Sequence, residues 1–267
     1  MERIGLIAGN RRFPIIFSEA AKKKGCAITA VAIRGDTSPH LAKVVDKMYW
    51  IGLGEFKKLF EIFKKEGITK VAMVGQISPH RLFSKEVRNS PELQELLESI
   101  QDHRADTIFG AIAQRLQESG LALLSSTTFL EELLPKQGTL TEHAPNFKEW
   151  EDVYFGLEVA KEIALLDIGQ TVAVKHKAVV AVEALEGTDN LILRAGRIAR
   201  AGAIIVKVSK PKQDNRFDIP VVGYNTIKCL IRSRAKCLAI EAGKTLFIDP
   251  AQSIQLADKK NIVVVAV

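Results

Sequence analysis

Strand and helix patterns alternate through the first 75 residues, and that alternation restricts the fold more than any other feature of this sequence. Arg3 to Gly9 is an apolar run ending in glycine. Pro14 then opens a helical pattern that runs to Gly25, with Lys22, Lys23 and Lys24 suited to the negative end of its dipole. Ile28 to Ile33, Met48 to Ile51 and Lys70 to Val74 read as further strands. Between the last two, Glu55 to Glu66 carries Phe56, Leu59, Phe60 and Phe63 at helical spacing. Strands separated by helices in this way pair in parallel, with helices on both faces. The pattern predicts an α/β fold that begins with a Rossmann-like parallel-sheet domain.

A chain of 267 residues has room for a second domain. Residues 91 to 119 read as two helical pieces meeting around Asp102-His103-Arg104-Ala105-Asp106. A strand from Leu121 to Ser125 and a short helix from Phe129 to Leu134 follow. Turn residues with little periodicity then place a linker at 135–146. That divides the chain into an N-terminal nucleotide-binding-like domain, 1–134, and a C-terminal catalytic domain, 147–267. Phe147 to Leu165 opens the second domain as a helix, and Thr171 to Val174, Ala178 to Ala184 and Ala203 to Val208 read as strands. Further apolar runs and helical patterns to Val265 complete a mixed α/β half.

No apolar run approaches the roughly 18–20 residues of a membrane-spanning helix, and the N-terminus enters a strand without the layout of a signal peptide. Cys26, Cys229 and Cys237 show no metal-ligand spacing, which fits buried free thiols in a reducing cytoplasm. The net charge of +7 is concentrated. Arg194 to Lys236 holds eleven Lys or Arg against Asp214 and Asp218, which leaves 27 basic and 29 acidic residues elsewhere. Such a patch gathers anions. No aromatic-rich strand interleaves it, so nucleic acid is not expected. A phosphorylated small molecule or an anionic membrane surface fits better, beside the plain reading of a solvated face.

Two strands end in similar turns. Ala8-Gly9-Asn10-Arg11-Arg12-Phe13-Pro14 leads a strand into a helix, and Gly75-Gln76-Ile77-Ser78 repeats the arrangement later. Neither is G-x-G-x-x-G. Ligands of doubly wound sheets lie beyond the carboxyl ends of strands, so both turns face one candidate cradle. Asp102 and Asp106, four apart, suit either a hard cation or a helix cap. His80 and His103 read as surface or packing residues. In the second half Asp189 follows Gly187-Thr188, which is equally a helix-start pattern. Asp218 sits among cations, either in an ion pair or as a charge kept for metal or water. The absence of G-x-S-x-G, H-E-x-x-H and CxxC leaves covalent Ser or Cys catalysis without support.

Leu166-Asp167-Ile168-Gly169-Gln170, Ala181 to Asp189, Lys210-Pro211-Lys212 and Phe217-Asp218-Ile219-Pro220 closely resemble the LpxI-type UDP-2,3-diacylglucosamine pyrophosphatases. Gly5 to Gly9, Ile51 to Phe56 and Val74 to Ser78 resemble that family's first domain, so the resemblance spans the chain in order. It implies two α/β domains with substrate held between them. It also implies magnesium-dependent hydrolysis of UDP-2,3-diacylglucosamine to UMP and 2,3-diacylglucosamine 1-phosphate, in lipid A biosynthesis in Gram-negative bacteria. The family's essential aspartate falls on Asp218, the candidate catalytic residue. Relatives often carry Gly-Asp-Asp where this chain has Arg104-Ala105-Asp106, so one carboxylate is absent here. The candidate metal ligands are Asp106, Asp189 and Asp218. Lys210 and Lys212 are candidate phosphate contacts, and Gly169, Gln170, Gly187 and Thr188 candidate walls for the sugar-phosphate. Gly9, Asn10, Gly75, Gln76 and Ile77 complete the candidate substrate-binding set. The protein is expected in the cytoplasm, with a transient inner-membrane contact and a homodimer held open. A non-catalytic nucleotide-sugar or lipid-binding protein, or a transferase, would use the same parts.

Overall fold

A computed structural model describes residues 1–78, 81, 84–102, 104–211 and 213–267, with backbone alone at 105 and 106. His80, His103 and Lys212 lie outside the described residues, as does the Asp106 side chain. The chain divides into two compact units. Unit 1 comprises Met1–Glu131 together with Asp214–Asp218, and unit 2 comprises Glu132–Gln213 with Ile219–Val267.

In unit 1 the elements run β1 (Arg3–Ala8), α1 (Phe13–Lys23), β2 (Ala27–Ile33), β3 (Lys47–Ile51), α2 (Phe56–Lys65) and β4 (Lys70–Val74). They continue through α3 (Lys85–Arg88), α4 (Pro91–Glu98), α5 (Ala105–Glu118) and β5 (Ala122–Leu123). The strands pair in parallel in the order β3-β2-β1-β4-β5. Alternation along β1 gives Gly5 and Ile7 to one face and Ile4, Leu6 and Ala8 to the other. The first face meets Leu59 and Phe63 of α2 and Leu116 of α5. A side chain at Gly5 would strike the Phe63 ring, with a Cβ only 2.8 Å from it. Phe17 and Ala21 of α1 are fully buried. Parallel strands β1, β2 and β4 are apolar at nearly every position because both faces are covered.

Unit 2 starts at β6 (Gly138–Thr139), two residues within the stretch expected as a linker, which pair antiparallel with the last strand. Then follow α6 (Phe147–Leu165), β7 (Thr171–Lys175), β8 (Ala178–Val182), α7 (Thr188–Ala199), β9 (Ile204–Lys207), β10 (Val221–Gly223) and α8 (Tyr224–Ser233). β11 (Cys237–Ile240), β12 (Leu246–Ile248), α9 (Pro250–Lys259) and β13 (Val263–Ala266) complete the unit. The main sheet has the order β6-β13-β11-β9-β7-β8, with β9, β11 and β13 parallel and β7 and β8 antiparallel to their neighbours. β10 and β12 form a small parallel pair.

Helix α6 begins in a capping box, with Asn146 and Glu149 each accepting the other's backbone N–H. Its Val153, Ala160 and Ala164 cover one face of the sheet. Leu191, Ile227, Leu230 and Ala257 of the other three helices cover the opposite face. The β7–β8 hairpin turns at His176 and Lys177, both with positive φ, and the Asp152 carboxylate of α6 accepts both of their N–H groups. Cys26, Cys229 and Cys237 are buried free thiols. Among the described residues, no helix is long and apolar enough to cross a membrane.

The short helix expected over Phe129 to Leu134 is a single 3-10 turn, Glu131–Leu133. Helix α7 is an element that sequence reading did not delimit. Its glycines and arginines, Gly187, Arg194, Gly196, Arg197 and Arg200, read as turn and patch, yet Leu191, Ile192 and Ala195 form a buried stripe. Tertiary burial decided the element where propensity did not.

Candidate functional site

In unit 1 the chain runs from β1 outward to β2 and β3, then returns to place β4 on the other side of β1. The strand order therefore reverses between β1 and β4, the place where open α/β sheets leave a crevice. The turns after these two strands meet there. The Gly9 N–H donates to the Val74 carbonyl and the Asn10 N–H to the Gln76 carbonyl, both at 2.8 Å. A Cβ on Gly9 would lie 2.7 Å from the Gln76 backbone nitrogen, so glycine is what lets the two turns touch. These N–H groups are already spent. Gly9 thus contributes close approach rather than a donor.

The Asn10 amide donates to Ser78 Oγ at 3.3 Å, and its buried Oδ1 has no hydrogen-bond partner among the described residues. Ser78 donates through backbone and hydroxyl to Asp36, just beyond β2. Arg81 closes the network on Asp36 at 2.7 Å and on Glu86 at 2.5 Å. Ile77 packs into the core beneath. Past the ends of β2 and β3 a cleft of about 540 Å³ is lined by Arg34, Gly52, Glu55, Arg81, Glu86 and Ser90. The Gly52 N–H, with Lys58 and Arg34, holds the Glu55 carboxyl down at about 2.

Asp102 stands before α5, where it accepts from Arg104 and from Thr107 Oγ1, and these partners hold its carboxyl well below the usual range. The segment bearing Asp218 also belongs to unit 1. Phe217 packs into that core beside Phe109, ring centroids 6.1 Å apart. Ser126 donates its N–H to the Asn215 carbonyl at 2.9 Å. Arg216 spends its guanidinium on Asp214, which that bond holds below the ordinary carboxylate range. The Asp218 N–H donates to the Asp214 carbonyl, and its side chain is partly buried.

In unit 2 the candidate residues gather at one end of the sheet. This end holds the carboxyl ends of β8, β9 and β11 and the start of β7. Gly169 sits against the Glu183 carbonyl so tightly that a Cβ would lie 2.7 Å from the carbonyl carbon. Gln170 follows, its buried Oε1 without a hydrogen-bond partner among the described residues. Lys210 and Asp167 form an ion pair at 2.7 Å, with side chains 13% and 16% exposed. Lys210 is therefore engaged within the protein. Gly187 caps α7 with φ of +80°, and Thr188 is the first helical residue. Asp189 points to α8, accepting from Asn225 at 2.8 Å and Thr226 at 3.3 Å.

Glu241, just beyond β11, accepts from Lys161, Lys244 and the Ser209 N–H. Burial raises its carboxyl, but these bonds outweigh burial and hold it low. Its ionised form thus stabilises the fold above the unfolded value of about 4.3, and that contribution fades as pH falls through the lower folded value. Glu241→Gln is expected to cost roughly 1.5–3 kcal/mol at pH 7. Urea melts at neutral and acidic pH should show the difference shrinking with acid, and a pH-independent difference would contradict this.

Sequence reading did not single out Lys207, Thr171, Asp36, Arg34 or Arg81. A lone lysine in the apolar run Ile204 to Val208 was the available signal for the first. Comparison with known proteins decides the family. The LpxI N-terminal domain matches residues 3–133, and the LpxI C-terminal domain matches residues 136–265. The chain belongs to the LpxI family. This LpxI chain is 29% identical over 277 residues to the UDP-2,3-diacylglucosamine pyrophosphatase LpxI of Caulobacter vibrioides, covering 100% of this chain and 98% of that protein. Among solved structures, it is similar to the biotin carboxylase domain of a thermophilic 2-oxoglutarate carboxylase. That match has a TM-score of 0.27 and 14% identity over 65% of this chain and 35% of the other. N5-carboxyaminoimidazole ribonucleotide synthetase from Thermotoga maritima matches with a TM-score of 0.24 and 16% identity, over 70% and 43% of the two chains. The LpxI chain thus spans about a third of the first structure and under half of the second, and at these scores the likeness fixes no shared architecture.

Proposed function

We propose that this chain hydrolyses the pyrophosphate bond of UDP-2,3-diacylglucosamine to UMP and 2,3-diacylglucosamine 1-phosphate, a step in lipid A biosynthesis. The observation that carries this reading is the end-to-end family match, with a named pyrophosphatase aligned along the whole chain. Pyrophosphate hydrolysis needs charge neutralisation, an activated water and a stabilised leaving phosphate. In this reading Asp218 activates the water, and Gly9, Asn10, Gly75 and Gln76 bound the nucleotide. Gly169, Gln170, Gly187 and Thr188 bound the sugar-phosphate. The substrate's acyl chains bring the protein to the inner-membrane surface from the cytoplasm. Exposed Leu165, Leu166, Ile168 and Leu185, beside the polar end of the unit 2 sheet, are compatible with that contact. Incubation with UDP-2,3-diacylglucosamine and magnesium, followed by detection of UMP, tests the reading. A binding protein would return the substrate intact, and a transferase would require an acceptor other than water.

Among the described residues, no group of three or more His, Cys, Asp or Glu is arranged to hold a metal ion. Asp189 already serves α8. The described residues therefore do not form a resident cage. Magnesium carried by substrate phosphates needs only one or two protein carboxylates, so a dependence on it remains part of the proposal. EDTA is expected to abolish UMP release and added magnesium to restore it. Undiminished release in excess chelator would remove the ion from the reaction.

A further inference from the structure

We propose that Lys207, Thr188 and Glu183 form one positioning unit that fixes the first turn of α7 for a pyrophosphate-bearing ligand. This inference rests on the reading of the site given above. In the strand register Lys207 lies opposite Thr171, and Glu183 continues the row, its N–H donating to the Thr171 carbonyl at 2.9 Å. Directly opposed residues share a face. Three polar side chains therefore line the edge of the face that carries Ala173, Ala181 and Ile205.

Lys207 is 4% exposed and Glu183 7%. Among the described residues, no carboxylate lies within ion-pair distance of the Lys207 ammonium, and Thr188 is the bridge. Lys207 Nζ donates to Thr188 Oγ1 at 2.6 Å, and Thr188 Oγ1 donates to Glu183 Oε1 at 2.8 Å. An ammonium has no acceptor, so Thr188 accepts from Lys207 and gives its hydroxyl proton to the nearer carboxylate, Glu183, with Thr171 Oγ1 beside it at 3.3 Å. The other carboxylate oxygen, Glu183 Oε2, is buried and has no hydrogen-bond partner among the described residues.

As a stabilising device this arrangement is poor. Two charges are buried, joined through threonine hydroxyls rather than directly, and apolar residues there would avoid the desolvation cost. What the trio supplies is geometry. Thr188 is the first helical residue of α7, and the helix has no side-chain cap and a glycine N-cap at φ +80°. Held from the sheet by Lys207 and Glu183, that turn keeps its backbone N–H groups directed beyond the strand ends, where a helix start suits phosphate.

Thr188→Val removes the bonds to Lys207 and Glu183, and the contact with Thr171 Oγ1, with little change of shape. It is expected to raise KM for UDP-2,3-diacylglucosamine about tenfold, as for loss of hydrogen bonds to charged groups, with a smaller change in kcat. Amide exchange at residues 188–191 should quicken, and Thr188→Ser should recover most of both losses. A purely structural trio would lower the melting temperature of Thr188→Val and leave KM unchanged, which would overturn the proposal. Should Thr188→Val fail to fold, Lys207→Met is the substitute, and a wild-type KM there overturns it equally. Should the wild-type protein release no UMP, the functional reading fails by itself. Titration with inorganic pyrophosphate then decides the positioning unit. Weaker binding by Thr188→Val supports it, and equal or absent binding overturns it.

Discussion

Asp218→Ala is expected to fold and to bind substrate, while kcat falls at least roughly a hundredfold, as when a general base is removed. The segment should keep its place without the carboxylate, because Phe217 is seated in the unit 1 core, Asn215 is bonded to Ser126, and Arg216 holds Asp214. The glycine turns remain untouched. An ion-pair role for Asp218 predicts the opposite pattern, namely lower stability with near-normal kcat in the folded fraction. Thermal melting and single-turnover kinetics on one preparation separate the two. A folded Asp218→Ala protein with wild-type kcat would end the catalytic assignment, whatever the family membership suggests.

The largest expected loss of stability comes from Gly169→Ala. The added methyl would fall well inside contact distance of the Glu183 carbonyl oxygen, and a flexible side chain cannot relieve that clash because the atoms belong to backbone. Overpacking typically costs 1–3 kcal/mol, and this geometry suggests about 3 kcal/mol. In a unit of this size that corresponds to a melting temperature lower by on the order of 10 °C. The same shift would move Glu183 and so disturb the Thr188 bridge. An unchanged melting temperature would mean that the loop from α6 to β7 is not seated on β8 in solution. Gly25→Ala is a useful contrast, since nothing lies within 4 Å of its Cβ and only its φ of +80° opposes the change.

Much of unit 1 is readable from residue order alone. Three buried parallel strands, β1, β2 and β4, announce themselves as continuous apolar runs, and Phe56, Leu59, Phe60 and Phe63 mark α2 by spacing. The meeting of Gly9 with Gly75 follows once the strands are placed, because a parallel sheet puts both turns at one end. Other features have no local signature. Gly138 and Thr139 join the sheet through Val265 and Ala266, more than a hundred residues away. Lys207 looks like a solvent-facing strand residue until the pairing with Thr171 shows that its face is covered. Lys210, chosen for its charge beside a proline, is held by Asp167 across a separation that sequence does not reveal.

The seating of Phe217 beside Phe109 has a consequence for how this protein can be divided. Unit 1 is not a continuous stretch of chain. A fragment ending at Glu131 keeps the glycine turns and the Phe109 shelf but lacks Asp218 altogether. A fragment beginning at Glu132 carries Asp218 on a loop whose anchors, Phe109 and Ser126, are gone. A cut between Glu131 and Glu132 leaves neither piece with both the carboxylate and the surface that orients it. Deletion mapping by halves would thus report inactivity on both sides of the cut, wherever the chemistry resides.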